Sequence, residues 1–268
     1  MNIHRSKKTN LNSTKSVDRE RFVSLFDWDG TLRADFHIID FISFVSDFLG
    51  PDNKVSETNQ NLKKLHHCYI KEEIIYVEFL HGVKDEFSKF LNNRKIEDVK
   101  ALAKEFAKVD KKIFNGPMDL LKKLSLSGKI YIITGSPKIL IEPYFCKLSG
   151  IEIFGTEYQK NSDGTYSNII SRFFGGKKEK ENAVNHIFEL EKQSYFDVAG
   201  KKFALVAMGD TESDSPLLNT ARYPILVNDS IALVGTGSRR RRVRSSSLGN
   251  IIVSESSGAL QLRELSAA

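Results

Sequence analysis

The chain has 268 residues, 40% of them hydrophobic, and a formal net charge of +6. This length suits one large domain, or a core with a smaller second domain. No apolar run approaches the roughly 20 residues that span a bilayer, and no apolar segment follows the basic N-terminal residues, so we expect neither a membrane span nor a signal peptide. The two cysteines are far apart, which indicates a reduced, cytoplasmic setting.

The positive charge is concentrated at the two ends of the chain. Residues 1–21 carry six basic and two acidic side chains, and residues 237–268 carry six arginines and two glutamates. The intervening residues 22–236 therefore hold a slight acidic excess, which does not favour nucleic-acid binding. Residues 1–20 contain few apolar side chains, and this composition predicts a disordered leader.

The first predicted element is the run from Phe22 to Phe26, whose β-branched and aromatic residues are typical of a buried strand. Two carboxylates follow at alternate positions, Asp27 and Asp29, and Gly30 then turns the chain. Alternation along a strand directs both carboxylates to one side, at the end of the strand where open α/β sheets bind ligands. Because adjacent like charges are unfavourable without a cation, the pattern predicts a metal site.

Residues 36–114 have a helical pattern. Apolar side chains recur at spacings of three and four, with lysine and glutamate between them, as in amphipathic helices. No strand pattern interrupts this region. We therefore predict an all-helical cap domain of about four helices, inserted between the first strand and the next.

Strands and helices alternate after the turn at 115–117. The predicted strands are 129–134, 151–154, 203–208 and 223–227, and the main predicted helices are 118–126 and 179–192. Such alternation implies a mostly parallel sheet with helices on both faces. The sequence thus predicts an α/β fold, a Rossmann-like three-layer α/β/α core built from residues 21–35 and 115–236.

The C-terminal residues 237–268 differ in composition from the rest. Arg239–Arg242, Arg244 and three serines form a short basic run. Runs of this kind occur in localisation signals, in contacts with anionic surfaces and at phosphorylation sites. A solvated tail is the more common explanation for so short a match, and we expect this tail to be flexible.

Three further polar motifs lie at the ends of predicted strands or the start of a helix. Thr134–Ser136 ends one strand, Gly209–Asp214 follows another, and the basic cluster Lys177–Lys180 precedes an apolar helix face. Together with the first motif they supply paired carboxylates, a hydroxyl with backbone amides, and a lysine. That set suits phosphoryl transfer through a covalent aspartyl-phosphate, with Mg²⁺ offsetting the charge.

In this order, the motifs resemble the four signatures of the haloacid dehalogenase superfamily: Asp27-x-Asp29-Gly30-Thr31, Thr134-Gly135-Ser136, a lysine, and Gly209-Asp210-x-x-x-Asp214. The resemblance extends over residues 22–230. A helical insertion after the first motif is similar to the branch that contains the phosphoserine phosphatases, and so are three shorter segments: Gly155-Thr156-Glu157, Asp163-Gly164 and Val227-Asn228-Asp229.

The resemblance implies a role for each carboxylate. Asp27 would be the nucleophile that attacks phosphorus and would also bind Mg²⁺. Asp29 would be the general acid for the leaving alcohol and then the base that activates water, and its backbone carbonyl would contact the metal. Asp210 would bind Mg²⁺ directly, whereas Asp214 would hold the waters of the ion, which suits a small cation that keeps several waters.

The resemblance also implies the phosphoryl-binding groups. Thr134 and the amide of Gly135 would bind phosphoryl oxygens, and a lysine would orient the nucleophile and neutralise the phosphoryl group. Lys180 gives its helix the better register, since apolar residues follow three and four positions later. Lys178 stands three residues after Gly175, closer to the spacing usual in the branch. We predict Lys180.

The predicted function is hydrolysis of a small phosphorylated metabolite by a Mg²⁺-dependent phosphatase. Asp29 argues against dehalogenase chemistry, which does not need that acid, but a phosphomutase or phosphotransferase of the same superfamily stays open, as does a non-catalytic binding module. Phosphoserine phosphatases are expected to carry a glutamate nine residues after the nucleophile, where this chain has Phe36. The substrate is therefore not expected to be phosphoserine, and the sequence predicts no oligomeric state.

Overall fold

The computed structural model describes residues 22–50, 53–191, 196–198, 201–228, 231–234, 241–244, 251–256 and 259–264. The predicted leader, residues 1–20, lies outside these ranges. The strands are β1 (Phe22–Phe26), β2 (Gly128–Pro137), β3 (Ile151–Lys160), β4 (Tyr166–Arg172), β5 (Phe196–Val198), β6 (Lys201–Gly209), β7 (Ala221–Asn228), β8 (Ile231–Val234), β9 (Arg241–Arg244), β10 (Ile251–Ser256) and β11 (Ala259–Glu264). The helices are α1 (His37–Leu49), α2 (Asn53–Ile70), α3 (Tyr76–Leu91), α4 (Ile96–Val109), α5 (Asn115–Ser125), α6 (Lys138–Phe145), α7 (Lys177–Leu190) and α8 (Ser215–Asn219).

The main sheet has β1 near its centre. Its order is β4-β3-β2-β1-β6-β7-β8-β9, with β5 beside β6. Five adjacent strands run parallel, in the order β3, β2, β1, β6 and β7. Strands β4, β5, β8 and β9 pair antiparallel with their neighbours. All five residues of β1 are buried, as expected for a parallel strand covered on both faces.

Helices cover both faces of the parallel strands. On one face, Phe22 and Phe26 of β1 share a buried cluster with Leu121 of α5. On the other face, Val23 and Leu25 share a cluster with the apolar side chains of α7 and α8. Alternate side chains of β1 therefore pack into two separate apolar layers, one on each face of the sheet. The predicted three-layer α/β/α fold is confirmed.

Helices α1 to α4 lie between β1 and α5, in the region where the sequence predicts a helical insertion. They share an apolar cluster that includes Phe41, Phe79 and Phe87. The same cluster takes in Leu140 of α6 and Tyr158 of β3, so the inserted helices pack against one edge of the sheet layer. No helix in the described ranges is long and apolar enough to cross a membrane.

Within residues 237–268, where we expect a flexible tail, the structure describes three short strands, and the flexibility of this segment stays a prediction. Strand β9 lies within the basic run and pairs antiparallel with β8, while β10 and β11 form a hairpin apart from the main sheet. Strand β9 ends the order of the sheet, and charged side chains are common on edge strands. A run of arginines is therefore compatible with a strand at this position.

Candidate active site

The motifs meet because their strands are neighbours in register. Phe26 of β1 pairs with Ile132 of β2 and with Met208 of β6, so the three strands end at the same edge. The backbone N–H of Asp27 continues this pairing and donates to the carbonyl of Met208 at 2.9 Å. The polar residues at or just after the ends of these strands are thereby brought to one site, as the sequence predicts.

Lys180 lies among the carboxylates. Its ammonium donates to Oδ1 of Asp27 at 2.8 Å and to Oδ1 of Asp214 at 2.5 Å, and all three side chains are buried. Lys178, the other candidate, is exposed and pairs with Glu181 of its own helix at 2.8 Å. Of the two lysines, Lys180 is the one that contacts the predicted nucleophile.

The charges of this group act on one another. Burial raises the pKa of Asp27, which Asp214 and Asp210 raise further and Lys180 lowers. Burial also opposes the charged form of Lys180, but Asp27 and Asp214 hold its pKa above the ordinary value. A buried lysine that stays protonated is suited to hold a carboxylate and a phosphoryl group together.

Asp29 is held at both carboxylate oxygens. Its Oδ1 accepts a hydrogen bond from the backbone N–H of His37 at 2.8 Å, and its Oδ2 accepts one from the hydroxyl of Ser136 at 2.5 Å. Burial raises the pKa of Asp29, and these two hydrogen bonds oppose the increase. A carboxyl group with a raised pKa keeps its proton to higher pH, as a general acid needs.

Asp210 is fixed against the first motif. Its Oδ1 accepts a hydrogen bond from the hydroxyl of Thr31 at 3.0 Å, and burial followed by the charge of Asp214 raises its pKa to about 7. Gly30 adopts a φ of +76°, and a Cβ there would lie 2.1 Å from Oδ2 of Asp210. The glycine therefore permits both the turn and the close approach of this carboxylate.

Asp214 organises the loop after β6. Its Oδ2 accepts hydrogen bonds from the backbone N–H of Asp210 at 3.2 Å and from the N–H and hydroxyl of Thr211, both at 3.0 Å. Its other oxygen accepts from Lys180. Because both oxygens are already engaged, Asp214 is suited to position the loop and its neighbours rather than to act as a principal metal ligand.

Thr134 and Gly135 lie at the end of β2, beside the acidic group. The hydroxyl of Thr134 accepts a hydrogen bond from the backbone N–H of Ser136 at 3.1 Å. A Cβ on Gly135 would lie 2.9 Å from Cα of Gly175, so two backbone segments approach closely at this point. Both Thr134 and Gly135 line the same cleft as the carboxylates.

The donor set fits a divalent cation. Asp27, Asp210 and Asp214 each offer a carboxylate oxygen, and these atoms lie within 4.8 Å of one another. Mg²⁺ prefers oxygen donors. A divalent ion would offset both the repulsion between these carboxylates and the cost of burying their charge. With Asp214 already hydrogen-bonded, Asp27 and Asp210 are best placed to bind the ion.

Sequence reasoning missed the residues behind Asp29. Trp28 lies between the two motif aspartates, and alternation turns it into the core, where its indole N–H donates to Nδ1 of His37 at 3.0 Å. Burial lowers the pKa of His37 well below its ordinary value, so the imidazole is neutral. Ser136 belonged to a predicted motif, but its contact with Asp29 depends on the pairing of two strands that are far apart in sequence.

A cleft with a volume of about 230 Å³ opens at the carboxylates. One part of its lining is the polar group just described. The other part consists of aromatic and aliphatic side chains, most of them from the inserted helices. A substrate that reaches the carboxylates therefore also contacts this region.

The chain belongs to the haloacid dehalogenase-like hydrolase family, whose sequence profile matches residues 24–219. That match spans most of the chain and includes every predicted site residue. The resemblance drawn from the four motifs is thus confirmed at the level of the family. Among curated proteins, none matches the chain.

Solved structures share the fold. A protein of unknown function from Bordetella pertussis Tohama I is 17% identical, with a TM-score of 0.56 over 77% of this chain and 89% of that chain. A HAD family hydrolase from Salmonella enterica serovar Typhi is 16% identical, with a TM-score of 0.51 over 74% and 59%. A substrate-bound phosphoserine phosphatase is 17% identical, with a TM-score of 0.50 over 77% and 86%. At these identities the likeness extends to the fold.

Proposed function

We propose that the protein is a Mg²⁺-dependent phosphomonoester hydrolase that forms an aspartyl-phosphate on Asp27. The observation that carries this proposal is the buried contact of 2.8 Å between Lys180 and Asp27, at the point where the ends of three parallel strands meet. A nucleophilic carboxylate needs a cation to hold it and to neutralise the approaching phosphoryl group. Family membership and the oxygen donors around Asp27 support the same chemistry.

In the first step, a carboxylate oxygen of Asp27 attacks phosphorus. The bond between phosphorus and the ester oxygen breaks, and its electron pair stays with that oxygen. The leaving alcohol takes the proton from Asp29, whose raised pKa favours the protonated form. The hydrogen bonds from Ser136 and His37 hold Asp29 in place for this transfer.

In the second step, Asp29 is a carboxylate and takes a proton from water. The water oxygen attacks phosphorus, the bond to Asp27 breaks, and its electron pair returns to the Asp27 carboxylate. Inorganic phosphate leaves and Asp29 is again protonated. The same residue thus serves as acid and base in successive steps, as two-step hydrolysis requires.

The phosphoryl oxygens would be bound by Lys180, the hydroxyl of Thr134 and the amide of Gly135, all of which line the cleft. Mg²⁺ held by Asp27 and Asp210 would supply the remaining positive charge. The inserted helices would act as the cap over this site.

A cytoplasmic setting stays a prediction, and both Cys68 and Cys146 are free thiols.

The test is hydrolysis of p-nitrophenyl phosphate by wild type and by Asp27→Asn, each with Mg²⁺ and with EDTA. We expect wild type to hydrolyse the ester with Mg²⁺ and not with EDTA. The rate of the variant with Mg²⁺ should be lower by about 10⁴-fold or more. Asp47→Asn is the matched control, because Asp47 is exposed on α1 and lies outside the cleft. An Asp27→Asn protein as active as wild type would overturn the proposal.

A further inference from the structure

The part of the cleft lining that the mechanism does not use is apolar and aromatic. We call Phe36, Tyr69, Tyr76 and Phe79 the aromatic wall; all four line the cleft. Phe36 packs edge-on against Phe79 with ring centroids 4.6 Å apart, and Tyr69 stacks on Phe79 at 4.7 Å. These contacts hold the rings in fixed orientations, so the aromatic wall is formed before a ligand enters.

The aromatic wall lies next to the chemistry. Burial raises the pKa of Tyr76 above its ordinary range, and the charges of Lys180 and Asp27 also act on this phenol. Tyr76 lines the same cleft as Asp27 and Lys180, and its ring centroid lies 5.8 Å from that of Tyr69. The leaving group of an ester bound at Asp27 would meet this wall directly.

Lys84 adds a cation to the same lining. It follows the aromatic wall on α3, and its ammonium lies over the ring of Phe173 at 5.0 Å from the centroid. Among the described residues, none forms an ion pair with Lys84. A cation in a partly apolar cleft without a carboxylate partner is available to an anionic group on a ligand.

Outside the motifs, the described lining offers no unpaired carboxylate to an ammonium group. Outside the motifs, its acidic residue is Asp35, whose carboxylate pairs with Lys112 at 2.7 Å. Phe36, next in the chain, also lines the cleft and contributes an aromatic ring. The lining therefore presents an aromatic ring and a lysine to the leaving group, rather than an unpaired carboxylate.

We propose that the substrate is a phosphate monoester of an alcohol whose body is apolar and about the size of one ring, and which carries a second anionic group such as a carboxylate. This inference rests on the proposed phosphatase function. The aromatic wall would bind the apolar body, and Lys84 would bind the anion. The cleft has a volume of about 230 Å³, whereas sites for drug-sized ligands have about 300–1,000 Å³. This smaller cleft suits a metabolite with a single ring.

The experiment compares four esters of primary alcohols, chosen so that their leaving groups have similar reactivity: 4-carboxybenzyl, benzyl, ethyl and 2-aminoethyl phosphate. We expect kcat/KM to fall in that order, with at least about tenfold between the first and the last. Lys84→Met should reduce the preference for 4-carboxybenzyl over benzyl phosphate by about fivefold. Lys63→Met is the control, because Lys63 is exposed on α2 and does not line the cleft.

A second readout does not depend on turnover. Calorimetric binding of the corresponding non-hydrolysable phosphonates to wild type with Mg²⁺ should give the same order of affinity. If no ester is hydrolysed but the phosphonates keep this order, the proposed function fails and the ligand class stands. If all four esters are hydrolysed equally, or 2-aminoethyl phosphate is hydrolysed best, the ligand class is overturned and the phosphatase stands. Absence of both turnover and binding preference overturns both.

Discussion

The two parts of the cleft are built in different ways. The polar part takes its residues from the loops after β1 and β6, from the end of β2 and from the first turn of α7, and its carboxylates are fixed by hydrogen bonds from Lys180, hydroxyl groups and backbone N–H groups. The aromatic wall is set by ring packing among inserted helices. This difference separates chemistry from selectivity: changes in the polar part should lower turnover of every ester, whereas changes in the aromatic wall or Lys84 should alter the ranking of esters.

The largest expected effect follows from removing the buried cation. Lys180→Met leaves Asp27 and Asp214 buried without their partner. We expect activity to fall by about 10³-fold or more, and the free energy of unfolding without Mg²⁺ to fall by about 3–5 kcal/mol. Phosphatase assays and urea denaturation measure the two effects.

Lys178→Met is the matched control for that variant, because Lys178 is exposed and pairs with Glu181 of its own helix. It should leave both activity and stability close to wild type. If the two variants behaved alike, the buried contact would not be what supports the site.

Gly30→Ala should weaken metal binding. The new Cβ would collide with Oδ2 of Asp210, and moving that carboxylate should raise the Mg²⁺ concentration for half-maximal activity by about 10–100-fold. Gly164→Ala is the control, because Gly164 has a similar φ of +81° but nothing within 4 Å of its Cβ position. Equal effects on Mg²⁺ dependence in the two variants would assign the effect to backbone strain alone.

Ser136→Ala should alter the pH dependence of the reaction. The Ser136 hydroxyl lowers the pKa of Asp29, so its removal should raise that pKa further. The pH at which Asp29 loses its proton would then move upward, and kcat would fall by about tenfold. A pH–rate profile that keeps its wild-type limbs would contradict the assigned role of this contact.

The smallest expected effect concerns the junction between β1 and α1. Burial lowers the pKa of His37 in the folded protein. As pH falls, the imidazole is therefore protonated in the unfolded state before it is protonated in the folded state. The contribution to stability is full above about pH 6.5 and is lost as pH falls towards the folded pKa, amounting to about 1 kcal/mol by about pH 5.5. Because the carboxyl groups with raised pKa values change stability in the opposite sense over this interval, the measurement is the difference between two proteins: from about pH 6.5 to about pH 5.5, urea denaturation should show wild type losing about 1 kcal/mol more than His37→Gln.

The polar part of the cleft was largely predictable because its signals are local. A strand that ends in carboxylates fixes where Asp27 and Asp29 lie, and helical register separates the buried Lys180 from the exposed Lys178. The contacts that hold Asp29 were not predictable, since Ser136 and His37 reach it through strand pairing and chain reversal. Strand β9 could not be predicted from the sequence, because an edge strand tolerates charge and a run of arginines carries no strand signal.

The aromatic wall was only partly visible in the sequence. Its residues appear there as apolar positions of amphipathic helices, which predict packing without saying which rings remain at a cleft. Phe173 joins the lining from a different segment, opposite Lys84, and no spacing rule connects the two. Tertiary packing therefore decides which side chains contact the leaving group of the substrate, whereas the motif residues decide the chemistry.

The most direct test of the central claim is whether Asp27 becomes phosphorylated. Asp29→Asn is incubated with p-nitrophenyl phosphate and Mg²⁺, quenched in acid and digested for mass spectrometry. Because p-nitrophenolate leaves without needing a proton, the first step should proceed while hydrolysis of the intermediate is blocked. We expect a phosphoryl group on the peptide that contains Asp27. If wild type turns over the ester but this peptide of the variant carries no phosphoryl group, Asp27 is not the nucleophile.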